Sequence, residues 1–246
     1  MKTLLIDADI IMFRFAFRHQ TTIEWSEDVV TVECDEEAAI ADLNRFILRL
    51  LIQCKCVKYS LCFTHTINFR YSIFSEYKAA RSKNTPPLLL SILKQYMKDN
   101  HPWMEQKYLE ADDLMGILAT EKPKEYILAT IDKDFKTLPV RLFNWDKDKR
   151  PKLISKKEAD YWFHYQWLIG DTTDGFKGCW RIGDKKARGI LDKRKPSEWT
   201  TAVVETYADK CYSWKEIITQ ARMARILRHT DWDFESKEVI LWEPNC

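Results

Sequence analysis

A chain of 246 residues, 46% hydrophobic and 13% aromatic, has the composition of a globular protein with a sizeable core and excludes a disordered or fibrous one. A formal net charge of +2 excludes a protein that coats polyanions by bulk charge alone. Seven cysteines, an odd number scattered without paired C-x-x-C spacing, read as buried thiols of a reducing compartment, and Cys54-Lys-Cys56 alone is too little for zinc.

The first apolar run, Leu4-Leu5-Ile6, is soon cut by Asp7 and Asp9, so neither a signal peptide nor a membrane span is expected and the cytoplasm is the expected location. Residues 2–8 read as a short buried strand, followed by an amphipathic stretch through Phe17. Residues 20–33 are mixed, with Val29, Val30 and Val32 suited to a small edge strand. Ile40, Leu43, Ile47, Leu50 and Leu51 recur at helical spacing behind an acidic first turn, which predicts a helix over 35–53. Residues 59–64 read as a second core strand. Residues 66–87 are polar, basic and aromatic without a clear period, as in a functional or mobile loop, until Pro86-Pro87 opens a helix over 88–98.

An extended piece ends at Glu110, a helix follows over 112–121, and 126–131 is another strand. Residues 140–144 and 152–154 read as two more strands around a charged turn at 146–150. This alternation predicts an α/β fold with a largely parallel sheet. Beyond Ser155 the pattern turns helical, over 156–169, 184–191, 198–208 and 213–228, with Ser155 and Glu158 as a capping box. Without a repeat or long linker, a helical part over 155–246 is expected to pack directly on a sheet part over 1–154.

The chemistry concentrates in acidic clusters. Glu110-Ala-Asp112-Asp113 sets three carboxylates just ahead of Leu114-Met-Gly-Ile-Leu118. Such groups repel one another, and burial pushes their pKa values up unless a cation sits among them. Hard divalent ions such as magnesium choose all-oxygen ligands of this kind. Asp7 and Asp9 follow the first strand, Asp132 and Asp134 follow the 126–131 strand, and Asp171 and Asp174 stand in Gly-Asp-Thr-Thr-Asp-Gly. Singly, Asp112 or Asp113 reads equally well as a helix cap, and Asp132-Lys-Asp134 as a loop. Jointly, acids at the carboxyl ends of strands point to one shared metal site.

Between Arg141 and Lys195, 15 Lys/Arg stand against 8 Asp/Glu, a local excess of +7. A basic surface beside an acidic site suits an enzyme that grips a polyanion and cuts it, although an ordinary solvated face gives the same count. Gly178 and Gly183 flank a tight connection before a helix starting at Asp184. Backbone amides there, with Lys185 and Lys186, can take a phosphate without reading bases; a plain helix–turn–helix in a core is the other reading.

Leu-Ile-Asp7-Ala-Asp9, Tyr77-Lys78-Ala-Ala-Arg81, Glu110-Ala-Asp112-Asp113, Thr130-Ile-Asp132-Lys-Asp134-Phe and Gly170-Asp171-Thr-Thr-Asp174-Gly occur in the order of the 5′-nuclease, or flap-endonuclease, superfamily. The chain resembles in particular the 5′→3′ exonuclease of short-tailed bacteriophages, and Met223-Ala-Arg-Ile-Leu227 and Lys237-Glu-Val-Ile-Leu-Trp242 extend the likeness almost to the end. The resemblance implies a PIN-like (Rossmann-like), mostly parallel sheet flanked by helices, with a helix–three-turn–helix region around 161–191.

It further implies two divalent cations, magnesium or manganese, held by Asp7, Glu110, Asp112, Asp113, Asp132, Asp134, Asp171 and Asp174, and a monovalent cation such as potassium at the 178–183 hairpin. Lys78 and Arg81 would act with Asp7, Asp113 and Asp132 in catalysis, neutralising charge on the transferring phosphate. Residues 66–87 would form an arch gating a single-stranded 5′ end, with Phe69, Tyr71 and Tyr77 able to stack on bases. Arg70, Tyr77, Lys83, Lys177, Gly178, Arg181, Gly183, Lys185 and Lys186 are the residues implied to contact DNA. The implied substrate is double-stranded DNA with a 5′ end, nick or flap, with an RNA–DNA hybrid as a further candidate. The implied setting is phage DNA replication, recombination or host DNA degradation in a bacterial cytoplasm.

Two positions depart from the family pattern. His65 stands where relatives carry an aspartate; an imidazole can bind a metal but brings no negative charge. Arg181 stands where the hairpin usually has a glycine, and there it either blocks close backbone approach or adds a phosphate contact. Two other readings stay open at this point. A haloacid-dehalogenase-type phosphatase would use Asp7 as a covalent nucleophile, and a DNA-binding protein with a decayed nuclease site would have lost acids at several positions.

Overall fold

Leu4, Leu5 and Ile6 are fully buried, and their alternation sends Leu4 and Ile6 into one core and Leu5 into another. They belong to β1 (Thr3–Asp7), the centre of a six-stranded sheet in a computed structural model that describes residues 2–26, 29–79 and 85–244. The strand order is β5 (Trp103–Glu105), β4 (Lys58–Phe63), β1, β6 (Tyr126–Ala129), β7 (Arg141–Phe143) and β8 (Lys152–Leu153). The first five run parallel and β8 closes the edge antiparallel, so the expected mostly parallel sheet is present.

Helices cover both faces. On one side α1 (Ala8–Arg18) and α2 (Glu36–Cys54) bring Phe15, Leu43 and Phe46 against Leu4 and Ile6, joined by Leu93 of α4 (Leu89–Asn100). On the other, Met115 of α5 (Ala111–Glu121) packs with Leu5, Leu128 and Phe135. Asp7 caps α1 by accepting from the Ile10 amide at 3.2 Å, and Asp35 caps α2 through the Ala38 amide at 2.9 Å.

The helical part is built from α6 (Lys156–Ile169), α7 (Asp184–Leu191), α8 (Trp199–Ala208) and α9 (Trp214–Ala224) around Trp167 and Tyr207. It packs on the sheet part where α6 meets the 3-10 turn Lys133–Thr137. Ser155 caps α6 by accepting from the Glu158 amide at 3.2 Å.

Three local expectations change. The small strand expected at 29–32 is β3 (Val29–Cys34), and residues before it add a partner, β2 (Gln20–Ser26), in a separate antiparallel pair. Within 66–87 a short turn of helix, α3 (Arg70–Ile73), appears. The helix expected to reach 228 stops at Ala224, because the next residues are tied elsewhere: Arg225 to Asp231 and Arg228 to Asp160. Two short strands, β9 (Trp232–Asp233) and β10 (Glu238–Val239), follow and pair with each other. Arg81 and Lys83 lie outside the described residues.

Candidate active site

β1 is flanked by β4 on one side and β6 on the other, so the chain reverses its direction of sheet growth between β1 and β6. Ligands of open α/β sheets bind at the carboxyl ends of strands near such a switch. A cavity of about 460 Å³ opens there, lined by acids from all four clusters: Asp7 and Asp9, Glu110 and Asp112, Asp132 and Asp134, and Asp174. Lys78, Lys94, Thr64 and His65 also line it, with Tyr71 and Phe13 among the remaining wall residues. Among the described residues no three His, Cys, Asp or Glu side chains are already gathered into a coordination sphere; the acids stand around the space rather than filling it.

Threonines hold the acids in place. The Thr130 hydroxyl donates to Asp7 Oδ2 at 2.9 Å and accepts the Asp132 amide at 3.1 Å, so one side chain links the ends of β1 and β6. Asp132 Oδ1 accepts the Asp134 amide at 2.8 Å, and Asp9 Oδ2 accepts the Thr64 amide at 3.1 Å. Burial first, then Asp9, pushes the Asp7 carboxyl up to about 7. Burial and then Asp132 do the same to Asp134, also to about 7. Asp9 is raised by burial, and Asp112 is raised by burial and by Glu110.

Glu110 differs. Burial opposes its ionisation, but Arg70 and then Lys78 outweigh that and hold its carboxyl below the ordinary range. Lys78 Nζ pairs with Glu110 Oε1, while Tyr77 donates its hydroxyl to Oε2 at 2.7 Å. The Lys78 backbone sits at φ 54, a left-handed conformation uncommon outside glycine, held by its amide donating to the Asp174 carbonyl at 3.0 Å. The Asp171–Gly175 turn thus buttresses the residue that faces the acids.

Several expected site residues sit elsewhere. Asp113 is fully buried in a pair with Arg70 and accepts the Leu227 amide at 3.0 Å, so it faces the interior instead of the cavity. Arg70 and Tyr77, expected on DNA, are 3% and 2% exposed, because both are spent on Glu110 and, for Arg70, on Asp113. Asp171 is not part of the cavity wall; it pairs with Lys133 at 3.2 Å and caps its own turn through the Thr173 amide. Gly178 is buried with its amide donated to Gln220 Oε1 at 2.7 Å, leaving no free N–H there for a phosphate. Its close neighbour is Gly170, where an added Cβ would lie 2.3 Å from the Gly178 nitrogen.

His65 does line the cavity, but its Nδ1 accepts the Ile67 amide at 3.0 Å. The Ile67 carbonyl is 3.3 Å from the same nitrogen, so the Ile67 backbone holds the ring in either neutral tautomer. Lys177, Arg181, Gly183, Lys185 and Lys186 are all exposed. Arg181 adopts φ 58 and lies 4.2 Å over the exposed Trp180 ring, an aromatic surface the motif reading passed over. Lys94 of α4 was equally invisible in sequence, one lysine among several on a helix.

A mostly parallel sheet flanked by helices, with acids gathered at its carboxyl edge, defines the PIN-like class of 5′ nucleases. Residues 2–161 match the family described as 5′-3′ exonuclease, N-terminal resolvase-like domain, and the chain belongs to it. It is 27% identical to the exodeoxyribonuclease of Enterobacteria phage T3, across 98% of this chain and 92% of that protein. It is 26% identical to the exonuclease of Escherichia phage T7, across 98% and 93%. Its fold resembles a flap endonuclease of bacteriophage T5 solved with DNA and metal ions, with a TM-score of 0.65 at 13% identity, covering 91% of this chain and 89% of that one.

Proposed function

We propose that the chain is a 5′→3′ exonuclease and structure-specific 5′ nuclease that hydrolyses phosphodiesters from the 5′ end, nick or flap of duplex DNA, using two divalent cations, magnesium or manganese. The observation that carries this is the single cavity into which acids from four separate stretches project. The donor set fits such ions. Seven carboxylates face two lysines, and an all-oxygen donor set with that excess of negative charge is what hard divalent cations neutralise. Asp7, Glu110, Asp112, Asp132, Asp134 and Asp174 would hold them, with Asp171 behind Asp174 shaping the turn. Bound there, the ions supply an activated water and stabilisation of the leaving oxygen.

The chain's own residues do the rest. Lys78 keeps its charge because Glu110 and Asp112 raise its pKa against burial, and it neutralises charge building on the transferring phosphate. Thr130 and Thr64 fix the acids against which the 5′ end is placed. Residues 66–87 act as the arch, and Arg81 and Lys83 are assigned to it from the sequence alone. Residues 155–246 act as the duplex grip, with Lys177, Arg181, Lys185 and Lys186 on phosphates and the 178–183 turn as the monovalent-cation site. The similarity to phage exonucleases supports a role in phage DNA replication, recombination or host DNA degradation, in the host cytoplasm.

Product mapping on 5′-labelled blunt, nicked and flapped duplexes, and on an RNA–DNA hybrid, tests the reading. Label release that requires magnesium or manganese is expected; no release with either metal at any protein concentration would overturn it.

A further inference from the structure

Arg70 reaches neither solvent nor the cavity, yet it joins three segments. Its guanidinium donates to Asp113 Oδ1 at 2.8 Å and to Oδ2, to Glu110 Oε2 at 3.1 Å, and to the Arg225 carbonyl at 2.8 Å. It lies 4.7 Å from the Phe69 ring centroid and 5.7 Å from that of Tyr77. Asp113 in turn accepts the Leu227 amide at 3.0 Å. The base of the arch, the first turn of α5 and the buried 225–227 segment therefore meet at one charged pair.

Glu110 needs this. It stands at the N-cap of α5 but makes no side-chain cap bond, so its own helix does not orient its carboxylate. Arg70 and Tyr77 together take Oε2, which turns Oε1 toward Lys78. We propose that Arg70 and Asp113 are positioning residues: the pair fixes the rotation of the Glu110 carboxylate, and with it the first turn of α5 that carries Asp112 to the cavity wall. This rests on the reading of the cavity as a metal-dependent nuclease site. It also gives Asp113 a role in activity without contact with metal or DNA.

A purely stabilising role makes a different forecast. A buried ion pair is often replaceable by apolar side chains of similar volume at little cost in stability, whereas removing one partner strands the other charge. The double variant Arg70→Met/Asp113→Leu therefore separates the two roles. Its thermal unfolding, its manganese binding by calorimetry, and its kcat and KM on a 5′-labelled duplex are compared with wild type. The expected result is a folded protein whose manganese affinity and kcat each fall about 10- to 100-fold, the range seen when groups behind metal ligands are removed. The KM for DNA should move by less than about threefold, because Arg70 does not touch DNA.

A folded double variant with wild-type manganese affinity and kcat would overturn the proposal. If the double variant does not fold, Asp113→Asn serves instead, since it keeps the shape and the Leu227 contact while removing the charge that anchors Arg70. Weaker manganese binding and a lower kcat in that folded variant support the proposal, and unchanged values refute it. A wild-type protein that neither binds manganese nor releases label refutes the nuclease reading itself; a competent wild type beside an equally competent variant refutes only the role of Arg70.

Discussion

Lys78 and His65 show how single side chains set the character of the cavity. Lys78 stands in the cavity wall among the acids, tied to Glu110 and held in an unusual backbone conformation by Asp174. Replacing Lys78 with alanine should lower the single-turnover rate by about two orders of magnitude, comparable to losing one oxyanion donor. Stopped-flow digestion of a labelled duplex checks this, and an unchanged rate would remove Lys78 from the chemistry. An imidazole at 65, with Nδ1 engaged by the Ile67 backbone, brings no negative charge where an aspartate would. His65→Asp should therefore tighten magnesium binding and shift the magnesium-to-manganese activity ratio upward; parallel titrations of the two proteins would show neither change if residue 65 lay outside the ion's reach. Asp112 and Asp113 teach the same lesson from the other side. Adjacent on a helix, they differ by about 100° in direction. Asp113 shares its face with Gly116, Ile117 and Thr120, all buried, while Asp112 faces the cavity. The run Leu114-Met-Gly-Ile-Leu118 is apolar all round, so the sequence carries no phase to tell the two apart.

At the scale of elements, the strands that end in acids were legible because each is a short apolar run with an abrupt polar stop. Asp7 at the end of β1 and Asp132 beyond β6 follow from that pattern alone. The end of α9 was not legible: residues through Arg228 keep a helical pattern, and only contacts with Asp231 and Asp160 draw Arg225 and Arg228 out of it. The Arg70–Asp113 pair spans 43 residues and leaves no local trace. The sequence places Gly178 in a DNA hairpin, but its backbone crosses that of Gly170 at a distance that leaves no space for a side chain. Both have positive φ, 71 at Gly170 and 67 at Gly178. Gly170→Ala should therefore cost about 2 kcal/mol or more, combining a strained φ with a direct clash. Urea unfolding measures it; a loss under about 0.5 kcal/mol, within the range of an ordinary surface change, would show that the turn gives way.

For the whole molecule, the gathering of acids has a thermodynamic signature. Asp7 and Asp134 titrate at about 7 in the folded chain, above the ordinary aspartate value. A carboxyl raised on folding contributes stability that is fully present below its unfolded pKa, near 4, and is lost as pH rises through about 7. Divalent cations bind the deprotonated acids and compete with those protons. The gain in Tm from magnesium over a chelator should therefore be small at pH 5 and grow toward pH 8. A gain independent of pH would mean that the ions bind away from these acids.

In the proposed mechanism these acids serve catalysis by holding metal, while the grip on DNA lies elsewhere. The most direct measurement compares wild type with Asp132→Asn on one 5′-labelled duplex, reading cleavage in magnesium and DNA affinity in calcium from the same preparations. Cleavage should be abolished in the variant with affinity within about threefold of wild type, since the phosphate contacts are untouched. Cleavage near the wild-type rate in Asp132→Asn would contradict it.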